Sequence, residues 1–495
     1  MPTIINEIGI EEKCRVPQPE CKDIDGLAKA RIKDRFDQLA FTRGEWKKKN
    51  SYYYQQQENY FRFLVPEGAR VLELGCGTGD LLAALKPKRG LGVDISTNMV
   101  AHASALYPNL EFKTGDLESI DMSEKFDFVI LADTIGYSQD IISTFQNLRK
   151  VCTPKTRVII SYYNFLWEPL LKLGEKIGRK MPQQDQNWLS PEDITHFLFL
   201  ADFDVIKTER RFLFPKNIPI LSSLVNKYIA SLPGISHLCL SNYVVARAAE
   251  KQRTTRDYST SIVVPCRNEK GNIEDCIKRL PGFGKHQEII FVEGHSADGT
   301  AVEIQRVMKA YPDRDIKFIH QSGKGKANAV FEGFAIAKGD ILMILDADLT
   351  VPPEDLPKFY WLIASGKGEF INGCRLVYPM EGQAMRFLNL LANKFFSFMF
   401  SWLLNQRFKD TLCGTKVMFR QDYETLASNR KYFGDFDPFG DFDLIFGSAK
   451  MNLRIVELPV RYRDRTYGTT QISRFRHGWM LLKMTVFAFR KLKAC

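Results

Sequence analysis

Two carboxylates separated by one residue, Asp346-Ala-Asp348, follow the apolar run Ile341-Leu-Met-Ile-Leu345. Acids spaced two apart at the end of a buried strand suit one divalent cation and a ribose, and such an ion neutralises a departing diphosphate. Far upstream, Val71-Leu-Glu-Leu-Gly-Cys-Gly-Thr-Gly79 spaces glycines where a strand must turn sharply into a helix. Small residues there let a ligand's carboxylate and ribose reach backbone amides at the helix N-terminus. Asp94 closes the next apolar run, in Gly92-Val-Asp-Ile95, and Asp116 closes another, in Thr114-Gly-Asp-Leu117. An acid at Asp94 can accept both ribose hydroxyls, so three strand ends converge on one nucleoside. One polypeptide therefore carries two candidate sites for nucleotide-like ligands.

Each site needs a sheet behind it, and the apolar pattern supplies two. A charged, aromatic region of helical spacing covers 28–64. Strand-like runs follow at 69–74, 89–93, 110–113, 126–131, 157–161, 204–210 and 243–246, mostly with helical stretches between them. That alternation predicts a doubly wound, Rossmann-like α/β domain. Glu250-Lys-Gln-Arg-Thr-Thr-Arg-Asp257 is polar and aperiodic, and a fresh strand opens directly after it at Ser261-Ile-Val-Val-Pro265. The boundary is placed there. The division reads as a flexible N-terminus over 1–27, a first domain over 28–249, a linker over 250–259 and a second α/β domain over 260–495. Strands of the second domain are expected at 261–265, 288–292, 316–320, 341–345, 369–372 and 454–459.

A length of 495 residues with 45% hydrophobic and 26% charged content describes globular domains and excludes a largely disordered chain. The net charge of +11 favours polyanionic partners. No nucleic-acid-reading motif accompanies it, and paired acids serve no purpose in gripping a phosphate backbone, so no nucleic acid is expected as a partner. Cations gather at the end of the chain, where Arg461, Arg463, Arg465, Arg474, Arg476, Lys483, Arg490, Lys491 and Lys493 face only Asp464. Ten cysteines without metal-ligand spacing, among them Cys76, Cys266 and Cys413, predict a reducing cytoplasm. The N-terminus lacks the order of a signal peptide, and no apolar run is long enough to span a bilayer.

Residues 385–404 and 475–493 mix Phe and Trp with flanking cations, as helices lying on a bilayer do. They predict peripheral attachment to the cytoplasmic face of an anionic membrane. Residues 212–240 insert apolar side chains among Pro and Gly breaks, read as packing on their own domain ahead of an acceptor cover or a lipid contact.

The glycine turn, Asp94, Asp116 and the run Phe126-Asp-Phe-Val-Ile-Leu131 resemble class I S-adenosylmethionine-dependent methyltransferases over about 64–248. The resemblance implies S-adenosylmethionine as cofactor. Glu73 with Gly75, Gly77 and Gly79 would hold its amino-acid end, Asp94 its ribose, and Asp116 with Leu117 its adenine. Asp133 and Tyr137 lie beyond the fourth strand. Methyl transfer from a sulfonium needs mainly positioning, so the acceptor is weakly encoded.

In the second half, Pro265-x-x-Asn-Glu269, Ser296-Ala-Asp-Gly-Thr300, Gly323-Lys-Gly325 and the paired acids occur in order, each after a strand. Together with Asp346-Ala-Asp-Leu-Thr-Val-Pro-Pro-Glu354 they resemble family 2 glycosyltransferases of the GT-A fold, in the dolichol-phosphate mannosyltransferase-like branch. The likeness implies Pro265 and Glu269 against the nucleoside of a nucleotide sugar, Lys324 near the nucleotide, and Asp346 with Asp348 on Mg2+ or Mn2+. It also implies Arg375 near the acceptor, Arg465 on phosphate, and Asp441 or Asp443 where inverting relatives keep a general base. Where the family reads Asp-Asp-Gly-Ser this chain has Glu293-Gly-His-Ser296, one longer carboxylate at the base-reading position. Thr470-Gln471 replaces the family's Ser-Lys, with Arg474 nearby to restore the charge. Mannose specificity does not follow.

The sequence thus predicts a bifunctional enzyme. A metal-dependent glycosyltransferase moves sugar from a nucleotide donor to a lipid phosphate, such as a polyprenyl phosphate, or to a glycan. A methyltransferase modifies a small molecule, glycan or lipid of the same pathway. The competing reading makes the first domain a non-catalytic docking or regulatory module.

Overall fold

The computed structural model describes residues 21–493 except 121, 184–185, 250–256, 378–386, 430–439, 464, 466 and 468–473. Residues 1–20 of the expected flexible terminus, most of the expected linker, the Thr470-Gln471 departure, and the side chains of Asp441 and Arg474 lie outside the described residues.

Three helices come first: α1 (Cys21–Leu39), α2 (Arg43–Lys49) and α3 (Ser51–Leu64). On α3 the buried residues Tyr53, Gln57, Tyr60, Phe61 and Leu64 recur every three or four positions, which turns one stripe to the core. The first sheet then assembles β1 (Arg70–Leu74), β2 (Arg89–Asp94), β3 (Glu111–Thr114), β4 (Phe128–Ala132), β5 (Arg157–Tyr163), β6 (Phe203–Arg211) and β7 (Ser241–Ala248). Between them run α4 (Asp80–Ala84), α5 (Thr97–Leu106), α6 (Ile141–Leu148), α7 (Glu168–Lys176), α8 (Pro191–Leu200) and α9 (Leu221–Leu224). The strand order is β3-β2-β1-β4-β5-β7-β6, with β7 antiparallel to both neighbours. The chain winds outward from β1 to β3 and returns to β4, so the crevice for a ligand opens at the carboxyl ends of β1 and β4.

The second sheet repeats this logic. It comprises β8 (Ser259–Cys266), β9 (His286–Glu293), β10 (Asp315–His320), β11 (Ile341–Ile344), β12 (Phe370–Cys374), β13 (Lys416–Phe419) and β14 (Ile455–Pro459) in the order β10-β9-β8-β11-β13-β12-β14. Its helices are α10 (Ile273–Lys278), α11 (Thr300–Ala310), α12 (Lys326–Ile336), α13 (Leu356–Ala364), α14 (Phe387–Leu404), α15 (Arg420–Ser428), α16 (Asp441–Lys450) and α17 (Arg474–Leu492). Here the reversal falls between β8 and β11. Thirteen of these fourteen strands coincide with apolar runs read from the sequence. The exception is β13, which is antiparallel to β11 and β12. It has four residues and opens on Lys416, a buried lysine that donates to the Cys413 carbonyl, so no strand pattern announces it.

Buried ions join the two domains. Arg157 on β5 donates Nη2 to both oxygens of Glu369, at 2.8 and 2.9 Å, and Nε to the Asn452 carbonyl at 2.8 Å. Arg247 on β7 stands 3.6 Å from Glu369 and donates to the Gly366 carbonyl at 2.5 Å. A second junction anchors the last helix. Arg211 donates to the carbonyls of Leu492 and Lys493 at 2.9 Å each, placing a cation on the negative end of α17. Lys493, which the sequence grouped with surface cations, is buried and 3.4 Å from Glu209. Burial pushes its ammonium down to about 8. Burial alone would raise Glu209, yet Arg211, Lys493 and Lys207 hold it well below the carboxylate range.

Candidate active sites

At the end of β1, Gly75 turns the chain with φ +72°, and a Cβ there would lie 2.3 Å from the Thr134 side chain. The turn opens a cleft, partly open to solvent, lined by Glu73, Gly75, Gly77, Asp94, Asp116 and Leu117. Asp133 and Tyr137 line it too. Gly79 does not. It begins α4 at φ +75°, and its missing Cβ leaves room for the Phe112 ring, so it shapes the turn.

Polar groups inside this cleft are poised for a charged ligand. Asp94 accepts from the Gly77 amide at 2.8 Å and the Ser96 amide at 2.9 Å, and burial raises its pKa. Burial pushes the Glu73 carboxyl to about 8, against the pull of Lys47. Among the described residues, Glu73 Oε2, Arg43 Nε and the Tyr137 hydroxyl are buried with no partner. An α-amino acid brings an ammonium for Glu73 and a carboxylate for Arg43, so the lining fits the amino-acid end of S-adenosylmethionine. Asp133, at φ +55°, is already held by Tyr53 and Gln57 at 2.8 Å and Ser161 at 2.9 Å. At the other end Lys29 pairs with Asp116 at 2.7 Å and Glu118 at 2.5 Å.

The second site gathers at the carboxyl ends of β8 and β11. Asp346 pairs with Lys326 at 2.5 Å, and Asp348 pairs with Arg465 at 2.6 Å. Arg465 also reaches Glu269 at 3.3 Å, so one guanidinium bridges the acid expected on the nucleoside and one expected on the metal. Burial alone would raise Asp346, but Lys326, backed by Lys416 and Arg375, holds it below the ordinary carboxylate range. Burial lifts Glu269 to about 7, opposed by Arg465. Gly414 is the close approach that makes room: a Cβ on it would stand 2.0 Å from Asp346 Oδ2. Among the described residues no group of three or more ligands surrounds this point. Two carboxylates suffice for Mg2+ or Mn2+ when substrate phosphates complete the shell, so the hard oxygen donors fit the ion.

Several expected residues sit otherwise than the sequence implied. Lys324 is exposed, and the cation on Asp346 is Lys326, because the Gly323–Gly325 turn ends where α12 begins. Arg375 is locked in a buried pair with Asp410, Nε at 2.7 Å and Nη2 at 2.8 Å, under the Tyr462 ring. Glu293 is buried, accepting from the Ser296 amide at 2.5 Å and lying 3.0 Å from His320 Nδ1. Asp443 is buried on α16. Gly440, one residue before Asp441, packs against Ala327, next to Lys326, which brings the start of α16 beside the paired acids. Pro265 lies one residue before the end of β8, at the same rim.

A family model described as methyltransferase domain matches residues 46–208, and one described as glycosyl transferase family 2 matches 261–426. The chain joins a methyltransferase domain to a family 2 glycosyl transferase domain. A dolichol-phosphate mannosyltransferase of Pyrococcus furiosus is 35% identical over 136 residues, 27% of this chain and 38% of that protein. An undecaprenyl-phosphate 4-deoxy-4-formamido-L-arabinose transferase of Shewanella sediminis is 32% identical over 101 residues, 20% of this chain and 30% of that protein. The chain thus spans only 38% and 30% of the length of these two relatives. The structure of magnesium protoporphyrin IX methyltransferase from Synechocystis PCC 6803 aligns at 21% identity and TM-score 0.33, over 45% of this chain and all of that one.

In the methyltransferase domain the sequence reading missed Lys29, Arg43, Lys47 and Gln57, which α1, α2 and α3 bring over the cleft. Only their place in a cation-rich, aromatic helical region hinted at them. In the glycosyl transferase domain it missed Lys326, Asp410, Gly414 and Lys416. The last three belong to a loop and a short strand without apolar rhythm.

Proposed function

We propose that the glycosyl transferase domain moves a sugar from a nucleotide donor to a polyprenyl phosphate or a related lipid-linked acceptor, and that the methyltransferase domain methylates a component of the same glycoconjugate. The observation that carries this reading is the ladder Lys326–Asp346 and Glu269–Arg465–Asp348 at the end of β11. Asp346 and Asp348 would hold a divalent ion, which when bound neutralises the diphosphate leaving group. Lys326 and Arg465 would then release their carboxylates and turn to phosphate, a task for which the planar guanidinium of Arg465 is suited. Glu269 and Pro265 would border the nucleoside. A phosphate acceptor is already anionic and needs no base, so Asp441 and Asp443 would orient it or serve a hydroxyl acceptor instead. Inversion at the sugar carbon is part of the proposal.

S-Adenosylmethionine supplies an electrophilic methyl group when bound. Glu73 would grip its ammonium, Arg43 its carboxylate, Asp94 its ribose hydroxyls, and Asp116 with Leu117 the adenine edge. Asp133, fixed by three donors, would orient groups at the cleft's inner wall.

The test is paired. Asp346→Asn should abolish sugar transfer to a polyprenyl phosphate while calorimetry still registers S-adenosylmethionine; persistent transfer would remove the metal assignment. The buried bridge of Arg157 and Arg247 to Glu369 favours one second reading, a methyltransferase fold kept for docking. Absence of S-adenosylmethionine binding to the unaltered chain would select it.

A further inference from the structure

Open apolar side chains are not scattered over this molecule. Among the described residues, 17 of the 26 large apolar side chains that stand exposed fall within residues 165–181, 212–240, 387–404 and 474–492. The same stretches hold twelve lysines and arginines against two glutamates, Glu168 and Glu175, a net charge of +10 where the whole chain carries +11. About a sixth of the sequence thus concentrates both features that an anionic bilayer attracts.

These stretches are neighbours. Trp402 on α14 donates Nε1 to the Ser231 carbonyl at 2.6 Å, and the Tyr228 ring lies 6.2 Å from Phe489 on α17. Trp167, just before α7, donates to the Leu238 carbonyl at 2.8 Å, and Asn164 to the His237 carbonyl at 2.8 Å. Helices α14 and α17 pack on each other. One face therefore runs from α7 across the 212–240 insert to the two apolar helices of the glycosyl transferase domain.

Its local geometry suits shallow insertion. Leu170, Leu173 and Ile177 are each more than half exposed and lie at positions i, i+3 and i+7, while Leu171 packs inward. In the insert, Ile220 is 78% exposed at φ +65°, a left-handed backbone that a β-branched residue rarely adopts. Leu221 and Leu224 continue the exposure along α9. Residues on both sides of α7, Tyr163 and Met181, line the methyl-donor cleft, so α7 forms its rim. Like charge on this face opposes pairing with a second copy of itself.

We propose that α7 and the 212–240 insert of the methyltransferase domain complete, with α14 and α17, one docking face for an anionic lipid bilayer, and that the methyl acceptor is a lipid presented at that membrane. The acceptor class rests on the lipid-linked reading given above. The docking face rests on the exposed side chains and charge alone.

The full chain is floated with phosphatidylcholine vesicles lacking or containing about 30% phosphatidylglycerol. Leu170→Glu/Leu173→Glu and Ile220→Glu/Leu224→Glu are compared with the parent. The parent should float with anionic vesicles, and each double variant should lose recovery about tenfold. Unchanged calorimetric binding of S-adenosylhomocysteine establishes that the variants fold. With vesicle lipid as substrate, labelled methyl should reach the chloroform phase for the parent and fall for the variants. Flotation of the variants equal to the parent overturns the docking face. So does a parent dimer in lipid-free buffer that the variants dissolve. Sugar transfer to a detergent-dispersed polyprenyl phosphate reports on the earlier reading alone: its absence beside vesicle-dependent flotation would fault that reading and leave the face standing.

Discussion

Replacing Glu73 with Gln should uncouple methyl-donor binding from proton release. Burial moves the Glu73 carboxyl from 4.5 to about 8. At pH 7 such a group is ~90% protonated, so a ligand whose ammonium demands the carboxylate expels ~0.9 proton per molecule bound, falling to ~0.1 at pH 9. Calorimetry with S-adenosylmethionine in two buffers of different ionisation enthalpy measures this number directly. The same shift affects stability with a definite sign. The folded pKa lies above the unfolded one, so the folded state holds the extra proton between 4.5 and about 8. Ligand-free stability therefore falls as pH rises through that window, by about 5 kcal/mol when the cost is complete. The Glu73→Gln variant should accordingly melt higher than the parent at pH 8 and bind the donor more weakly. Equal binding enthalpies for the parent in both buffers at pH 7, or proton release that survives in the variant, would refute the assignment of Glu73 to the ammonium.

Glu369→Ala should destabilise the chain by about 3–5 kcal/mol, because it leaves Arg157 and Arg247 buried without their acid; urea denaturation followed in both domains checks it. Gly414→Ala places a methyl group against the Asp346 carboxylate and should eliminate sugar transfer, with S-adenosylmethionine affinity unchanged in the same preparation. Lys326→Ala removes the cation that competes for Asp346, so free protein should bind Mn2+ about tenfold more tightly by electron paramagnetic resonance while transfer slows. An unaltered Mn2+ affinity would mean that Lys326 does not guard the ion's position.

Much of the fold was legible because the central strands of both sheets, such as β5 and β11, are buried on two faces, and such strands read as apolar runs whose spacing survives in one dimension. β5 is buried along its whole length and stands out accordingly. β13 escaped because its stability comes from neighbours on either side and not from its own composition. The glycine turn and the paired acids were legible for a related reason: each sits at the end of a strand, where position along the chain and position in space coincide.

Sequence by itself determined that two α/β domains succeed one another and that Glu73, Asp94, Asp346 and Asp348 occupy strand ends, since local backbone geometry dictates those placements. Tertiary structure decided which cations face them. Arg43 joins Glu73 and Asp94 in the cleft lining from α2, Lys326 reaches Asp346 from α12, Arg465 spans Glu269 and Asp348 from 196 and 117 residues away, and Arg375 is drawn aside by Asp410. The same holds for Lys493, which became an internal ion once Glu209 closed over it. Charge pairing depends on distance in space, and only the packed chain sets that distance.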